Sequence, residues 1–294
     1  MYPELFSIGP ITISSFGVMI VIAFLSVNFL LRKEFLNHGY KTEYADDMIF
    51  RAAVGGILGA KIYFLIENYD IAIENIGGLW KIFYGILTLN SSLIASGIQL
   101  FGSGLVFLGG LIGGLLFVTY YIKKKSLSWL IMADLIAPFI ALGHGIGRIG
   151  CLLVGDDYGI PTSLPWGISF PNGSPPSTAY NISQTGYIIP QDVSFTQVLT
   201  VHPTQIYEMI LYFLIFCFLK FLLKKNHFNG EIFMNYLFLA GFARFMVEFI
   251  RLNPRYYFDF SGAQYISLRM MIIAIIYHYF SPYLINIIKH CISN

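Results

Sequence analysis

The sequence predicts an all-α polytopic membrane protein: seven transmembrane helices, an interfacial arm, and a small extracytoplasmic head of loops and short strands. Three observations carry this expectation. The 294 residues are 56% hydrophobic and only 12% charged, about half the charge of an ordinary soluble domain. The apolar residues fall in runs of about 20, the length that crosses a bilayer core. Lysine and arginine collect at alternate ends of those runs, which orients them. The whole chain, 1–294, reads as one membrane domain, with 151–201 inserted as the head.

The elements follow in order. MYPELFSIGPITISSFG holds an acid but no Lys or Arg, so it is not a signal-peptide start, and span one, Ile11 to Leu31, is retained. Span two is Ala45 to Ile66, polar at Arg51 and Lys61. Ile82 to Leu100 is apolar but broken by Asn90, Ser91, Ser92 and Ser96, and reads as an interfacial or re-entrant arm. Spans three and four are Leu105 to Ile122 and Leu127 to Gly147. Spans five, six and seven are Gln205 to Leu223, Ile232 to Ile250 and Tyr265 to Ile288. Basic clusters at Arg32, Lys33 and Lys41, at Lys123 to Lys125, at Lys220, Lys224 and Lys225, and at Lys289 then share one side, the cytoplasm. The N-terminus falls outside and the C-terminus inside. Residues 151–201, rich in Pro, Gly, Ser and Thr with short apolar pieces such as WGISF, form the outer head. Cysteines at 151, 217 and 291 cannot make a secreted disulfide framework. A net charge of +2 with no basic face gives no reason to expect nucleic acid.

The densest chemistry lies in HGIGRIGCLLVGDDYG, His144 to Gly159, at the outer end of span four. Charges at membrane depth are costly and usually functional. Gly143, Gly145, Gly147 and Gly150 strip bulk from around Arg148, so backbone N–H groups and the guanidinium are expected to share one anion. A guanidinium grips phosphate bidentately, and the phosphate of a membrane is a phospholipid headgroup. The plainer alternative is a glycine-rich packing motif with Arg148 snorkelling to the interface.

Two further polar groups sit where lipid is expected. In HPTQIYE, His202 to Glu208, Pro203 suits the first turn of span five, and Gln205 and Glu208 share a face; ordinary helix capping is the competing reading. In GFARFMVEFIR, Arg244, Glu248 and Arg251 form one stripe that must face protein or water, as a site or as a structural ion-paired stripe. The glycines of GLVFLGGLIGG read as close helix packing. Asp134, Arg51 and Lys61 are candidates for buried pairs, while His38, His227, His278 and His290 carry no special expectation.

With these residues in view, the chain resembles the bacterial prolipoprotein diacylglyceryl transferase family. The resemblance runs through FSIGPITISSFG, GGLIGG, GRIGCLLVGDDYG, HPTQIYE and GFARFMVEFIR, in order, over roughly 250 residues. It implies a seven-span enzyme of the bacterial inner membrane with a periplasmic head. That enzyme moves the diacylglyceryl group of phosphatidylglycerol to the lipobox cysteine of a preprolipoprotein and releases glycerol phosphate, with no metal or organic cofactor. The implied partners are phosphatidylglycerol, lipobox peptides and membrane lipids. By position, Arg148 matches the arginine of the Gly-Arg signature, Arg244 that of the span-six motif, and Gln205, Tyr207, Glu208 and Glu248 the polar residues of the same motifs. Gly155 and Gly159 match signature glycines. Departures are Cys151 for an asparagine, Asp156 for a glutamate, Phe16 for a tyrosine, and Leu108 for the histidine of a His-Gly-Gly motif.

The resemblance makes Arg148 and Arg244 candidate catalytic residues, and His144 and His202, whose intrinsic pKa suits a base, join them from the residues themselves. Phosphatidylglycerol would contact Arg148, Arg244, Gly147, Gly150, Gln205, Tyr207, Glu208, Glu248 and Asp156. The arginines neutralise the leaving phosphate as a thiolate attacks the glycerol carbon. His144, four residues before Arg148, is favoured over His202 as the base. Three rivals stand beside this: a paralogue with another acceptor, a channel or transporter, and a metal site from His144, Cys151, Asp156, Asp157 and His202. The spans offer little polar path for a channel, and no tight ligand spacing supports a metal.

Overall fold

In a computed structural model of the chain, the residues described are 1–8, 11–102 and 104–293, without side chains at 8, 11, 71 and 282–293. Expectations resting on the side chains of Lys289, His290 and Cys291 fall where no side chains are described. A short hairpin, β1 (Glu4–Ile8) and β2 (Ile11–Ser14), precedes the helices α1 (Ser15–Asn37), α2 (Thr42–Glu67), α3 (Tyr69–Leu87), α4 (Ser91–Gly102), α5 (Phe107–Lys124) and α6 (Trp129–Val154). The strand β3 (Ile168–Ser169), the short helix α7 (Ala179–Ser183) and β4 (Thr200–Val201) follow, then α8 (Thr204–Leu222), α9 (Glu231–Glu248) and α10 (Gly262–Ser293).

Among the described residues, four helices, α1, α2, α6 and α8, are long and apolar enough to cross a membrane, giving up to five spans if α4 and α5, bent by 88°, form one broken span. The chain is therefore a mostly helical membrane protein. Large apolar side chains left exposed on these helices, such as Leu25, Ile62 and Leu214, are what lipid-facing surfaces require.

Several boundaries differ from expectation. Span one does not start at Ile11: the β-branched alternation Ile11-Thr12-Ile13 forms β2, and the helix begins at Ser15. The arm is a pair of helices, α3 and α4, rather than one segment. Asn90 separates them, accepting the N–H groups of Ser92 and Leu93 as the cap of α4. Span four does not end at Gly147: α6 runs to Val154 and takes in Cys151, so the head begins after it.

The chain forms two compact units. The first holds residues 1–5, 13–31 and 130–294, the second residues 6–12 and 32–129. In the second unit α2 packs on α5 and α3 on α4, both through glycines. A Cβ on Gly113 would lie 2.2 Å from the carbonyl oxygen of Gly55, and one on Gly97 2.6 Å from that of Gly78. The glycines of the GGLIGG stretch therefore serve close helix packing, as expected. Lys61 is buried there, donates to Asn75 Oδ1, and lies over the rings of Phe64 and Phe101. Arg51 pairs with Asp47 at 3.0 Å and covers Tyr121.

In the first unit α6 is the most buried candidate span. Gly145 meets Phe213 of α8, and Gly150 meets Phe16 and Met19 of α1. Asp134 of α6 accepts the backbone N–H groups of Gly230 at 2.5 Å and Phe233 at 2.8 Å, capping α9 from outside its own sequence. In the head, β3 pairs antiparallel with β4, Ile168 opposite Val201, over a small core of Tyr158, Phe170, Ile182 and Val201.

Candidate active site

Three elements and one loop of the first unit meet at a buried charge cluster. Helix α6 carries His144 and Arg148 four residues apart on one face. Helix α8 starts at Thr204, just after Pro203, and places Glu208 in its second turn, fully buried. Helix α9 carries Arg244 and Glu248, also four apart, and Arg251 follows in the turn that closes it. The loop after α6 brings Asp157.

Glu208 is the hub. One carboxylate oxygen lies 2.5 Å from Arg148 Nε, and the other accepts from Arg244 Nη1 at 2.6 Å. Arg244 Nη2 lies 2.9 Å from Glu248, whose second oxygen accepts from Asn253 at 2.5 Å. Asp157 spans two arginines: Oδ2 accepts from Arg148 Nη1 at 2.7 Å and Oδ1 from Arg251 Nη2 at 2.5 Å. Three guanidinium groups thus face three carboxylates. Buried charges persist only when paired, and an equal count of signs is what a low-dielectric site demands. The pairing is incomplete at one arginine: Arg251 Nε is buried with no hydrogen-bond partner, 3.7 Å from Glu248 Oε2. Such groups are where a further polar ligand gains most.

The loop is clamped from α8. Thr204 Oγ1 donates to the Asp157 carbonyl at 2.5 Å, and Gln205 Nε2 donates to that of Asp156. Asp157 itself adopts a left-handed backbone, φ 59°. Gly159 is required sterically: it pairs with Arg251, and a Cβ there would sit 2.4 Å from the Ile250 carbonyl. Burial, reinforced by the neighbouring Asp157 charge, pushes Asp156 up to about 6. Burial also pushes Asp157 upward, but Arg251 and Arg148 outweigh it and hold its carboxyl below the usual range.

The structure brings Arg148, Arg244, Glu208 and Glu248 together, four of the residues singled out in sequence. It also corrects the expected form of the site. Residues 143–154 are helical, so the N–H groups of Gly147 and Gly150 belong to a helix ladder rather than to an anion cradle. Arg148 and Arg244 converge on the Glu208 carboxylate. Gln205 lies at the loop clamp, on the Asp156 carbonyl, while the Asp156 carboxylate stands at the edge of the ion cluster, within 4.8 Å of the Asp157 carboxylate and the Cys151 thiol. His144 stacks on Tyr212 of α8, ring centroids 3.8 Å apart. His202 lies outside the helices: its Nδ1 is 3.2 Å from the Tyr207 hydroxyl, which accepts from Trp166 at 2.8 Å. Burial lowers the pKa of His202.

Sequence reasoning passed over Asp157 and Arg251 as site members. Arg251 was visible as the last residue of the α9 stripe. Asp157 carried only its place between Gly155 and Gly159, with nothing to favour it over Asp156. Of the proposed metal ligands, Cys151, Asp156 and Asp157 offer ligand atoms within 4.8 Å of one another. The Arg148 guanidinium lies 3.6 Å from that thiol and 2.7 Å from Asp157, a charge that opposes a cation there.

The family model described as prolipoprotein diacylglyceryl transferase matches residues 3–280. A Clostridium tetani protein named phosphatidylglycerol–prolipoprotein diacylglyceryl transferase is 34% identical over 276 residues, covering 94% of this chain and 96% of its own. A Vibrio vulnificus protein of that name is 31% identical over 255 residues, 85% of this chain and 78% of its own. One from Leptospira interrogans is 32% identical over 254 residues, 82% of this chain and 72% of its own.

Proposed function

Because the chain belongs to the prolipoprotein diacylglyceryl transferase family, we propose that it transfers the diacylglyceryl group of phosphatidylglycerol to the lipobox cysteine of preprolipoproteins, releasing glycerol phosphate. The observation that carries this reading is the buried cluster of Arg148, Arg244 and Arg251 with Glu208, Glu248 and Asp157. A reaction that frees a phosphate needs fixed positive charge where negative charge grows.

The acceptor thiolate attacks the glycerol carbon that bears the phosphate, and the C–O bond breaks. Arg148 and Arg244 take up the charge on the leaving phosphate, and Glu208 fixes the two guanidinium groups in place. Glu248 orients Arg244 in the same way. The acceptor thiol gives its proton to a base. His144 fills that role in this proposal: it shares a helix face with Arg148, and Leu108 stands where the family histidine would be. His202 is the second reading, and its depressed pKa keeps it neutral near pH 7. Gln205, Tyr207 and Asp156 shape the lipid side of the site, with Gly147 and Gly150 giving close access to the helix. The chain crosses the bacterial inner membrane seven times, its N-terminus and 151–201 head outside and its C-terminus in the cytoplasm.

Complementation tests the reading. A bacterium depleted of its own transferase, supplied with this chain, is expected to recover lipid-modified lipoprotein. Stable expression in the membrane without any modified lipoprotein would contradict it.

A further inference from the structure

Asp157 differs in kind from the other two acids of the cluster. Glu208 and Glu248 are fully buried on helices. Asp157 sits on a loop with its side chain 39% exposed. Its two oxygens are divided between Arg148 and Arg251, at 2.7 and 2.5 Å. That is the geometry in which a phosphate bridges two guanidinium groups, each taking one oxygen. Beside it lies a cavity of about 150 Å³ lined by Asp157, Arg251, Asn181, Thr185 and Asn253, among others. Arg251, only 6% exposed, lines both the cluster and this cavity, and its Nε is buried without a hydrogen-bond partner.

Charge balance gives the arrangement a direction. Asp157 already meets both guanidinium groups, and the Asp156 carboxylate lies within 4.8 Å of it, so a phosphate entering with Asp157 in place adds negative charge that nothing offsets. If Asp157 moves out, one negative charge leaves the two arginines, and an entering phosphodiester brings one back. Glu208 and Glu248 have no solvent to move into, while Asp157 already lines a cavity of about 150 Å³, room for several waters.

We propose that the Arg148–Arg251 pair is a phosphate subsite and that the Asp157 carboxylate holds it in the resting protein, giving way when a phosphate ester binds. This rests on the transferase reading only for the source of the phosphate. The shared chemistry is a phosphate ester anion, whether in a lipid headgroup or free. Asp157 is a positioning residue that competes with the ligand and takes no part in bond making.

The test is binding to the purified full chain of Asp157→Asn and Asp157→Gly variants. Both residues tolerate a left-handed backbone, so the loop is kept. Inorganic phosphate and glycerol phosphate form one arm, and phosphatidylglycerol presented in nanodiscs forms the other. Both variants are expected to bind at least one of these about fivefold or more tightly than wild type. A gain confined to the soluble arm assigns the subsite to the released product, and a gain confined to the lipid arm assigns it to the donor. Unchanged or weakened binding in both arms would overturn the proposal. The assay needs no diacylglyceryl transfer, so failure of the transferase reading shows separately as absent lipobox modification.

Discussion

Glu208 is one carboxylate between two guanidinium groups, and its removal exposes what the cluster holds together. Glu208→Gln leaves Arg148 and Arg244 facing each other without the charge between them. Removing one partner of a buried pair costs about 3–5 kcal/mol, so a marked fall in thermal midpoint is expected. Adding Arg148→Gln to Glu208→Gln should return part of the loss, since neither buried group is then left alone. Full additivity in that double-mutant cycle would deny the coupling. Asp156 gives a pH signature. Its folded pKa, raised to about 6, exceeds the usual carboxylate value of 3.8. The folded state therefore holds its proton longer than the unfolded state does. The stabilisation is full below the unfolded value and is lost as pH rises through about 6. Asp156→Asn should gain on wild type in thermal midpoint between pH 4 and 7, and a pH-independent difference would contradict the assignment. At this scale the sequence was most informative where charge met an apolar run. Arg148, Glu208, Arg244 and Glu248 stood out because membrane burial leaves a charged residue few ordinary explanations. Asp157 did not, because choosing between adjacent aspartates depends on a left-handed loop residue that sequence does not mark.

Helices contribute what single residues cannot. Helix α9 holds Arg244 and Glu248 in place partly because Asp134, on α6, satisfies two N–H groups at its start. In the second unit, α2 and α5 approach so closely that Gly55 and Gly59 face Gly109 and Gly113. Gly113→Leu must force the two helices apart, because even a Cβ would lie 2.2 Å from a carbonyl oxygen. A clear drop in thermal midpoint is expected. Gly77→Ala serves as the control: its Cβ would meet nothing within 4 Å, and alanine favours the helix by about 1 kcal/mol. Equal tolerance of both changes would show that the α2–α5 contact is not close-packed. The packing role of GGLIGG was legible from the repeat of small residues, whereas its partner glycines on α2 were not singled out. Helix ends were read less well than helix centres. Span four is expected to end at Gly147, yet α6 continues to Val154, and its glycines are where α1 and α8 come closest to it, the packing reading offered as the plainer alternative.

At the scale of the whole chain, composition and basic-residue asymmetry were enough for a membrane protein and for a proposed orientation. Reporter fusions after Lys125 and after Asn294 should both read cytoplasmic, and an external signal from either would contradict the seven-span arrangement. The three polar groups that meet, from α6, α8 and α9, come from segments up to 100 residues apart, so their convergence required the fold. The buried cluster serves phosphate release in the proposed reaction, beyond holding helices together. The direct measurement is transfer by the purified chain, in nanodiscs containing isotope-labelled phosphatidylglycerol, to a lipobox peptide read by mass spectrometry. The peptide should gain the labelled diacylglyceryl group with wild type. Arg148→Lys, folded but unable to keep the fork that meets both Glu208 and Asp157, should lose about a hundredfold in rate. Wild-type rates in Arg148→Lys, or no label on the peptide with the wild-type chain, would contradict the account.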